Sequence, residues 1–177
     1  MDAGVHHLQG KAKLVTSTEV LEFLRDFHRD KHVLREQHAS AARFVTNYDF
    51  NNTYQYVIAR EDMHLRWLID AITDLGGQPD EGSVPEVEPG KAGDAQVSVI
   101  TADRDSAAGF VEKWRSRVDT LPHARHRTML RVILGEIVEQ QRFFDLALAG
   151  RTDLLGRRAD GAGTGGGVMP TRWVGGR

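Results

Sequence analysis

Apolar residues recur at helical spacing along the first half of the chain, in two stretches that turn residues separate. A capping-box sequence, Thr16 to Glu19, precedes the first stretch, which continues to about Val45. Asn52 is the predicted cap of the second stretch, and the glycines at 76 and 77 end it. The short connection predicts two adjacent antiparallel helices. Their apolar positions are Val20, Phe23, Leu24, Phe27, Leu34, Ala41 and Val45, then Tyr54, Val57, Ile58, Leu65, Leu68 and Ile72.

The second half of the chain repeats this pattern after a long interruption. Residues 78 to about 101 hold three of the five prolines and show no helical period, so we expect a long crossover there. A third helix then ends at Pro122 and a fourth at Gly150. Two hairpins joined by a crossover predict an all-α, antiparallel four-helix bundle. The apolar positions are Ala107, Phe110, Val111, Trp114, Val118 and Leu121, then Leu130, Ile133, Leu134, Ile137, Phe144 and Leu148.

The chain divides into a polar N-terminal arm (residues 1–16), the bundle (17–155) and an extended glycine-rich tail (156–177). A run of glycines cannot form a core and is typical of a flexible segment. Met169, Trp173 and Val174 follow that run. We predict that these apolar side chains anchor the tail on the bundle itself or on a protein partner. A tail end in solvent is the alternative interpretation.

Composition narrows the classes of partner and the compartment. The 23 basic and 25 acidic residues give a formal charge of -2, which favours neither nucleic acid nor an anionic membrane as a partner. The absence of cysteine excludes disulfides and thiolate ligands, so any metal must be held by oxygen and nitrogen. The sequence shows no signal peptide and no stretch that could span a membrane. We therefore expect a cytoplasmic protein.

Three polar residues on the predicted helices suggest chemistry in the core. Glu61 and His64 lie one turn apart on the second helix, with Glu61 near the middle of its apolar face, and His38 lies on the apolar face of the first helix. An acid or a base is costly to bury unless it is paired, hydrogen-bonded or bound to a cation. For Glu61 the alternatives to a metal are an ion pair with Lys31 or a hydrogen bond to Tyr54 or Gln141. His38 and His64 are otherwise core histidines with satisfied hydrogen bonds.

The segment from Tyr56 to His64 (YVIAREDMH), followed by Leu75 to Pro79 (LGGQP), resembles the second helix of the ferritin-like superfamily, the group of rubrerythrin and bacterioferritin. The similarity covers roughly residues 18 to 150. It implies two irons between the helices, held by a Glu from each of two helices and a Glu-x-x-His from each of the other two. Glu61 and His64 match one such motif.

The second motif is incomplete in this chain. Glu36 and Glu112 have the right spacing but point away from the apolar faces of their helices, and Glu136 is marginal. The resemblance therefore implies a degenerate site with Glu61, His64 and His38 as ligands and Glu136 as a weak fourth. Such a set could hold one divalent metal ion, iron in preference to zinc or manganese.

Two functions follow from these patterns. The first is a ferritin-like metal-binding protein, related to redox chemistry or oxidative stress, for which the sequence names no catalytic residue and leaves enzymatic activity undecided. The second is a metal-free helical scaffold or accessory subunit that docks on a partner through its C-terminal tail. A homo-oligomer is expected in either case, since Trp67 lies off the core face and could mark a dimer contact. His28 and His32 are interpreted as facing solvent.

Overall fold

The structure, a computed structural model, describes residues 16–84, 86, 95–151 and 154–155. Within these residues it contains four long α-helices: α1 (Ser17–Ala41), α2 (Tyr48–Asp74), α3 (Ala95–Asp119) and α4 (Ala124–Leu148). A short 3-10 helix, Ala42–Phe44, follows α1. The predicted all-α four-helix bundle is confirmed. No helix among the described residues has the length and apolar character needed to cross a membrane.

Each helix packs against two neighbours, α1 against α2 and α3, and α4 against α3 and α2. Side-chain contacts show in which direction each helix runs relative to its neighbours. Asp30 accepts a hydrogen bond from Trp114, and further along α1 Gln37 donates one to Asp103, so α1 and α3 are antiparallel. Since α1 is also antiparallel to α2 through the short hairpin, α2 and α3 run in the same direction. The connection between α2 and α3 must therefore travel the length of the bundle.

The first part of this crossover lies along α1. The Arg25 Nε donates to the Gln78 carbonyl at 2.9 Å, and Arg29 forms two hydrogen bonds to the Asp80 carboxylate at 3.0 and 2.7 Å. Arg25 and Arg29, which lie one turn apart on α1, therefore hold successive parts of the crossover. His28 lies beneath it, 2% exposed, with its Nδ1 3.0 Å from the Asp80 carbonyl. The interpretation of His28 as solvent-facing is wrong, because a segment without helical period covers it.

The start of α2 differs from the sequence prediction. The N-cap is Asn47, whose side chain accepts a hydrogen bond from the Phe50 backbone at 2.9 Å, and this cap lies five residues before the predicted cap Asn52. The side chain of Asn51 instead donates to the Ala42 and Val45 carbonyls at the end of the preceding turn. Asparagine thus caps both sides of the α1–α2 connection.

The start of α3 also differs. The helix begins at Ala95, so the last part of the predicted crossover, to Thr101, is helical. Val99 and Ile100 are 2% and 3% exposed. Their branched side chains weaken the helical pattern locally, but burying them in the core outweighs that preference. The predicted helix ends are better matched: Gly76 and Gly150 adopt positive φ angles of 76° and 83° just after α2 and α4.

Two hydrophobic clusters make up the core, one towards each end of the bundle. The larger contains Trp114, against which Phe23 and Phe27 pack edge-on. The smaller surrounds Tyr54 and Phe144. The larger cluster comprises Val20, Leu24, Phe27, Leu34, Leu68, Ala71, Ile72, Ala107, Phe110, Val111, Trp114, Val118, Leu121, Leu130, Ile133, Leu134 and Ile137, with Trp67 packed against it. The smaller comprises Ala41, Ala42, Val45, Phe50, Tyr54, Val99, Ile100 and Phe144.

We predict that replacing the observed cap destabilises the bundle whereas replacing the sequence-predicted cap does not. Asn47→Ala should lower the free energy of unfolding by about 1 kcal/mol, because the Phe50 N–H loses its partner. Asn52→Ala should change it by less than about 0.5 kcal/mol, since Asn52 lies inside the helix. Urea denaturation followed by circular dichroism measures both; equal effects would contradict the cap assignment.

Candidate functional site

A layer of buried polar side chains crosses the bundle between the two hydrophobic clusters. All four helices contribute to it at the point where their apolar residues pass from one cluster to the other. These residues are between 0% and 3% exposed. They are Lys31 and His38 of α1, Glu61 and His64 of α2, Asp103 of α3 and Gln140 of α4. We call this set the polar layer.

Glu61 is the centre of the polar layer. Its Oε1 accepts a short hydrogen bond from the Lys31 ammonium, and its Oε2 lies 2.9 Å from the His38 Nδ1. All three side chains are 0% exposed. Lys31 and His38 are seven residues apart on α1, two turns along the same face, so the carboxylate of α2 fits between them. The prediction of a buried Lys31–Glu61 ion pair is confirmed.

Two opposing effects set the pKa values in this group. Burial disfavours the charged form of each side chain, and pairing with an opposite charge favours it. Burial on its own would raise the pKa of Glu61, but the neighbouring His38 and Lys31 outweigh it and lower that pKa to about 2. Burial lowers the pKa of Lys31, against the pull of Glu61. Burial also acts against protonation of His38, yet the carboxylate raises the pKa of this imidazole above its usual value. Glu61 is therefore a carboxylate held between two basic partners.

His64 forms a second group with α4. Its Nε2 lies 2.9 Å from the Oε2 of Glu136, and the Nε of Arg60 donates to the same oxygen at 2.8 Å. A second nitrogen of the Arg60 guanidinium binds the other carboxylate oxygen, so the arginine holds Glu136 with two bonds. Burial lowers the pKa of His64 to about 4, so this imidazole is neutral at pH 7 and donates its Nε2–H to the carboxylate.

Asp103 brings α3 into the layer. It accepts a hydrogen bond from the Tyr54 hydroxyl at 2.5 Å on one oxygen and one from the Gln37 amide at 3.0 Å on the other. Burial raises the pKa of Asp103, and burial together with Asp103 raises the pKa of Tyr54. Tyr54 thus donates its hydrogen bond to Asp103. The hydrogen bond from Tyr54 to Glu61, one of the alternatives from the sequence, is not formed.

The structure brings the four predicted metal ligands together as two pairs. Glu61 contacts His38, and His64 contacts Glu136. Each histidine uses one ring nitrogen for its carboxylate. The other, Nε2 of His38 and Nδ1 of His64, is buried without a hydrogen-bond partner among the described residues. The predicted tail anchors Met169, Trp173 and Val174 lie outside the described residues.

The residues of the layer, in this arrangement, do not fit a metal ion. Both oxygens of Glu61 and both oxygens of Glu136 are occupied by nitrogen donors, including the cationic side chains of Lys31 and Arg60. A divalent cation would have to enter against those charges and displace those bonds. Within the part of the chain that the structure describes, no three His, Asp or Glu side chains are grouped so that they could hold a metal.

Sequence reasoning missed two members of this network. Asp103 falls on the same helical face as Val99, Ala107 and Phe110, so its phase on α3 would have identified it. The unclear start of α3 hid that phase. Arg60 lies on the flank of α2, and only the packing of α4 against α2 shows that it holds Glu136.

Comparison with known proteins assigns the fold. No protein-family model and no curated protein sequence matches the chain. Among solved structures, the bundle is similar to a mutant of Dps1 from Mycobacterium smegmatis, with a TM-score of 0.66. The match covers 75% of this chain and 96% of that chain at 14% sequence identity. The fold is a ferritin-like four-helix bundle, as the resemblance of the second helix implied.

We predict that the Lys31–Glu61 pair is strongly coupled. Lys31→Met and Glu61→Gln should each lower the free energy of unfolding by about 3–5 kcal/mol, because each leaves a buried charge with a lost partner. The double variant should lose clearly less than the sum of the two. Urea denaturation of all four proteins measures this coupling.

The matched control is the surface pair of Arg131 and Asp119, which is joined at 2.8 Å and has side chains 56% and 52% exposed. Arg131→Met and Asp119→Asn should couple by less than about 1 kcal/mol. Additive losses at Lys31 and Glu61 would show that the two residues do not act as a buried ion pair.

Proposed function

We propose that this protein is a metal-free ferritin-like bundle that acts as a helical scaffold or accessory subunit. The observation that carries the proposal is the pairing of the buried Glu61 carboxylate with Lys31 on one oxygen and His38 on the other. In the superfamily that the sequence resembles, a carboxylate at this helical position would be a ligand of iron. Here an ammonium group supplies the compensating positive charge.

Asp103 of the polar layer and the neighbouring pair of Arg60 and Glu136 support the same function. Arg60 neutralises Glu136, and Asp103 accepts hydrogen bonds from both a tyrosine and an amide. Every carboxylate of the layer is therefore balanced or hydrogen-bonded by protein groups alone. A buried network of this kind fixes the register of packed helices, because any shift of one helix leaves charges unpaired. This is the property that a rigid scaffold needs.

We predict that the protein purified without a histidine tag contains far less than one transition-metal ion per chain. Elemental analysis by plasma mass spectrometry measures this directly, before and after incubation with ferrous iron or zinc and gel filtration. Glu61→Ala should leave the metal content unchanged, as should the control Glu112→Ala, which removes an exposed glutamate of α3. One equivalent of metal that only Glu61→Ala removes would overturn the proposal.

A second candidate is a protein that binds one divalent ion, and a specific observation favours it. His38 and His64 each bond a carboxylate through one ring nitrogen and keep the other buried without a described partner. Metal-ligating histidines in proteins commonly have this carboxylate–imidazole arrangement. Binding by Glu61, His64, His38 and Glu136 requires that Lys31 leave the carboxylate. The measurement of metal content above decides between the two candidates.

Association with other chains is the remaining part of the proposal. Large apolar side chains are exposed on the outer surfaces of α2 and α4, among them Ile69 at 38% and Val132 at 46%. We propose that they contribute to a homo-oligomer. The C-terminal tail, with Met169, Trp173 and Val174, is proposed to bind a protein partner. The cytoplasm as the compartment stays a prediction from the sequence.

We predict that deleting residues 156–177 leaves the bundle folded and abolishes binding to the tail's partner. The thermal midpoint and the helical circular dichroism should be unchanged, since the described core residues all precede the deletion. Light scattering after gel filtration should give the same number of chains per oligomer for the full-length and the truncated protein if the helices form the oligomer. Trp173→Ala is the matched single substitution. A truncated chain that retains every co-purifying partner would contradict the role of the tail.

A further inference from the structure

A cleft of about 360 Å³ lies between α2 and α4 and is lined in part by the paired Arg60 and Glu136. Its volume is at the small end of the range of ligand sites, which is about 300–1,000 Å³. Three residues of α4 and two of α2 surround it besides Gln140. The lining residues are Tyr56, Arg60, Glu136, Glu139, Gln140 and Phe143. We call this space the α2–α4 cleft.

Gln140 makes this cleft more than a surface depression. The residue is 3% exposed, and both the oxygen and the nitrogen of its side-chain amide are buried without a hydrogen-bond partner among the described residues. Nearly all buried polar groups in proteins have a partner, and leaving one without it is destabilising. Because Gln140 also lines the cleft, an amide that lacks both its donor and its acceptor partner among the described residues points to a molecule that supplies both.

The mouth of the cleft is aromatic. The rings of Tyr56 and Phe143 meet edge-to-face, with centroids 6.3 Å apart and planes at 71°. In such a pair the faces of one ring are not covered by the other, so a planar ligand can stack there. Tyr56 is 47% exposed, which leaves the cleft open to solvent on this side.

The charges around the cleft exclude an anionic ligand. Arg60 is held by Glu136 through both of its carboxylate oxygens, so its positive charge is already compensated. Glu139 adds a second carboxylate, which contacts only the exposed Arg142 at 3.5 Å among the described residues. The lining is therefore neutral to negative, and an added anion would be repelled.

We propose that the α2–α4 cleft binds a small, uncharged, planar aromatic carboxamide. The ligand's amide edge pairs with the Gln140 side chain, donating one hydrogen bond and accepting one, while its ring lies against Tyr56 and Phe143. A carboxamide is the group whose adjacent donor and acceptor match those of a glutamine in one plane. This site does not depend on the metal-free function proposed above, since Gln140 and the two aromatic residues take no part in the pairing of Glu61.

Benzamide is the probe that tests the site, with the full chain in solution. Titration followed by two-dimensional amide NMR should show saturable shifts around residues 56 and 143, with a dissociation constant of about 1 mM or tighter. Benzoate, which has the same ring but two acceptors and a negative charge, should bind at least about tenfold more weakly. No saturable shift with benzamide, or equal affinity for benzoate, would overturn the proposal.

Three variants complete the experiment. Gln140→Leu keeps the volume of the side chain but removes the amide, and should weaken benzamide binding at least about tenfold. Gln141→Leu is the matched control, because this neighbouring glutamine lines the groove on the α3 side of α4 and not the α2–α4 cleft. Its affinity should equal that of the native chain.

Phe143→Ala keeps the test decisive if Gln140→Leu does not fold, because Phe143 is only partly buried. Loss of its ring should weaken benzamide binding severalfold. Unchanged affinity in both Gln140→Leu and Phe143→Ala would place benzamide elsewhere and refute the site. A crystal structure with saturating benzamide in which water alone bonds Gln140 would refute it as well.

Discussion

Compensation of the Glu61 carboxylate is the constraint on which the rest of the structure depends. A charge in the dry interior of a bundle is tolerated only where opposite charge and hydrogen bonds reach it. The chain meets this requirement with two basic side chains from one face of α1, which bind the two oxygens separately. Because the partners belong to different helices, α1 and α2 can pack in one register only. The hairpin is therefore positioned by charge as well as by apolar contact.

Polar contacts of the same kind link the other two helices to the bundle. Asp103 links α3 to α1 and α2 through Gln37 and Tyr54, and Glu136 links α4 to α2. The polar layer separates two hydrophobic clusters. Apolar side chains can pack in many alternative ways, so the clusters alone do not fix the register of the helices. The clusters supply most of the free energy of folding, and the layer between them selects one arrangement of the helices.

The proposed function rests on what fills the interior of the bundle. The fold positions side chains of four helices at one level, and that geometry serves a metal centre or a network of ion pairs equally well. Lys31 makes the difference in this chain. Its ammonium group occupies the oxygen of Glu61 that a cation would need, and Arg60 does the same at Glu136. Gln140 extends the layer towards the α2–α4 cleft, where we propose that a ligand pairs with its buried amide.

The sequence by itself determined the number of helices, their pairing and the burial of Glu61, because helical periodicity and turn residues are local signals. It also gave Lys31 as one of the possible partners of Glu61, beside a metal ion, Tyr54 and Gln141, since both residues lie on apolar faces. It did not determine where α2 and α3 begin, because Asn47 and Asn52 are equally good caps by composition and the branched residues Val99 and Ile100 obscure the period. Only the tertiary structure decided which bases reach which carboxylate oxygens, that Arg60 holds Glu136, and that the Gln140 amide has no partner within the part of the chain that the structure describes. Those facts depend on distances between helices, and the spacing of residues along a single helix does not give these distances.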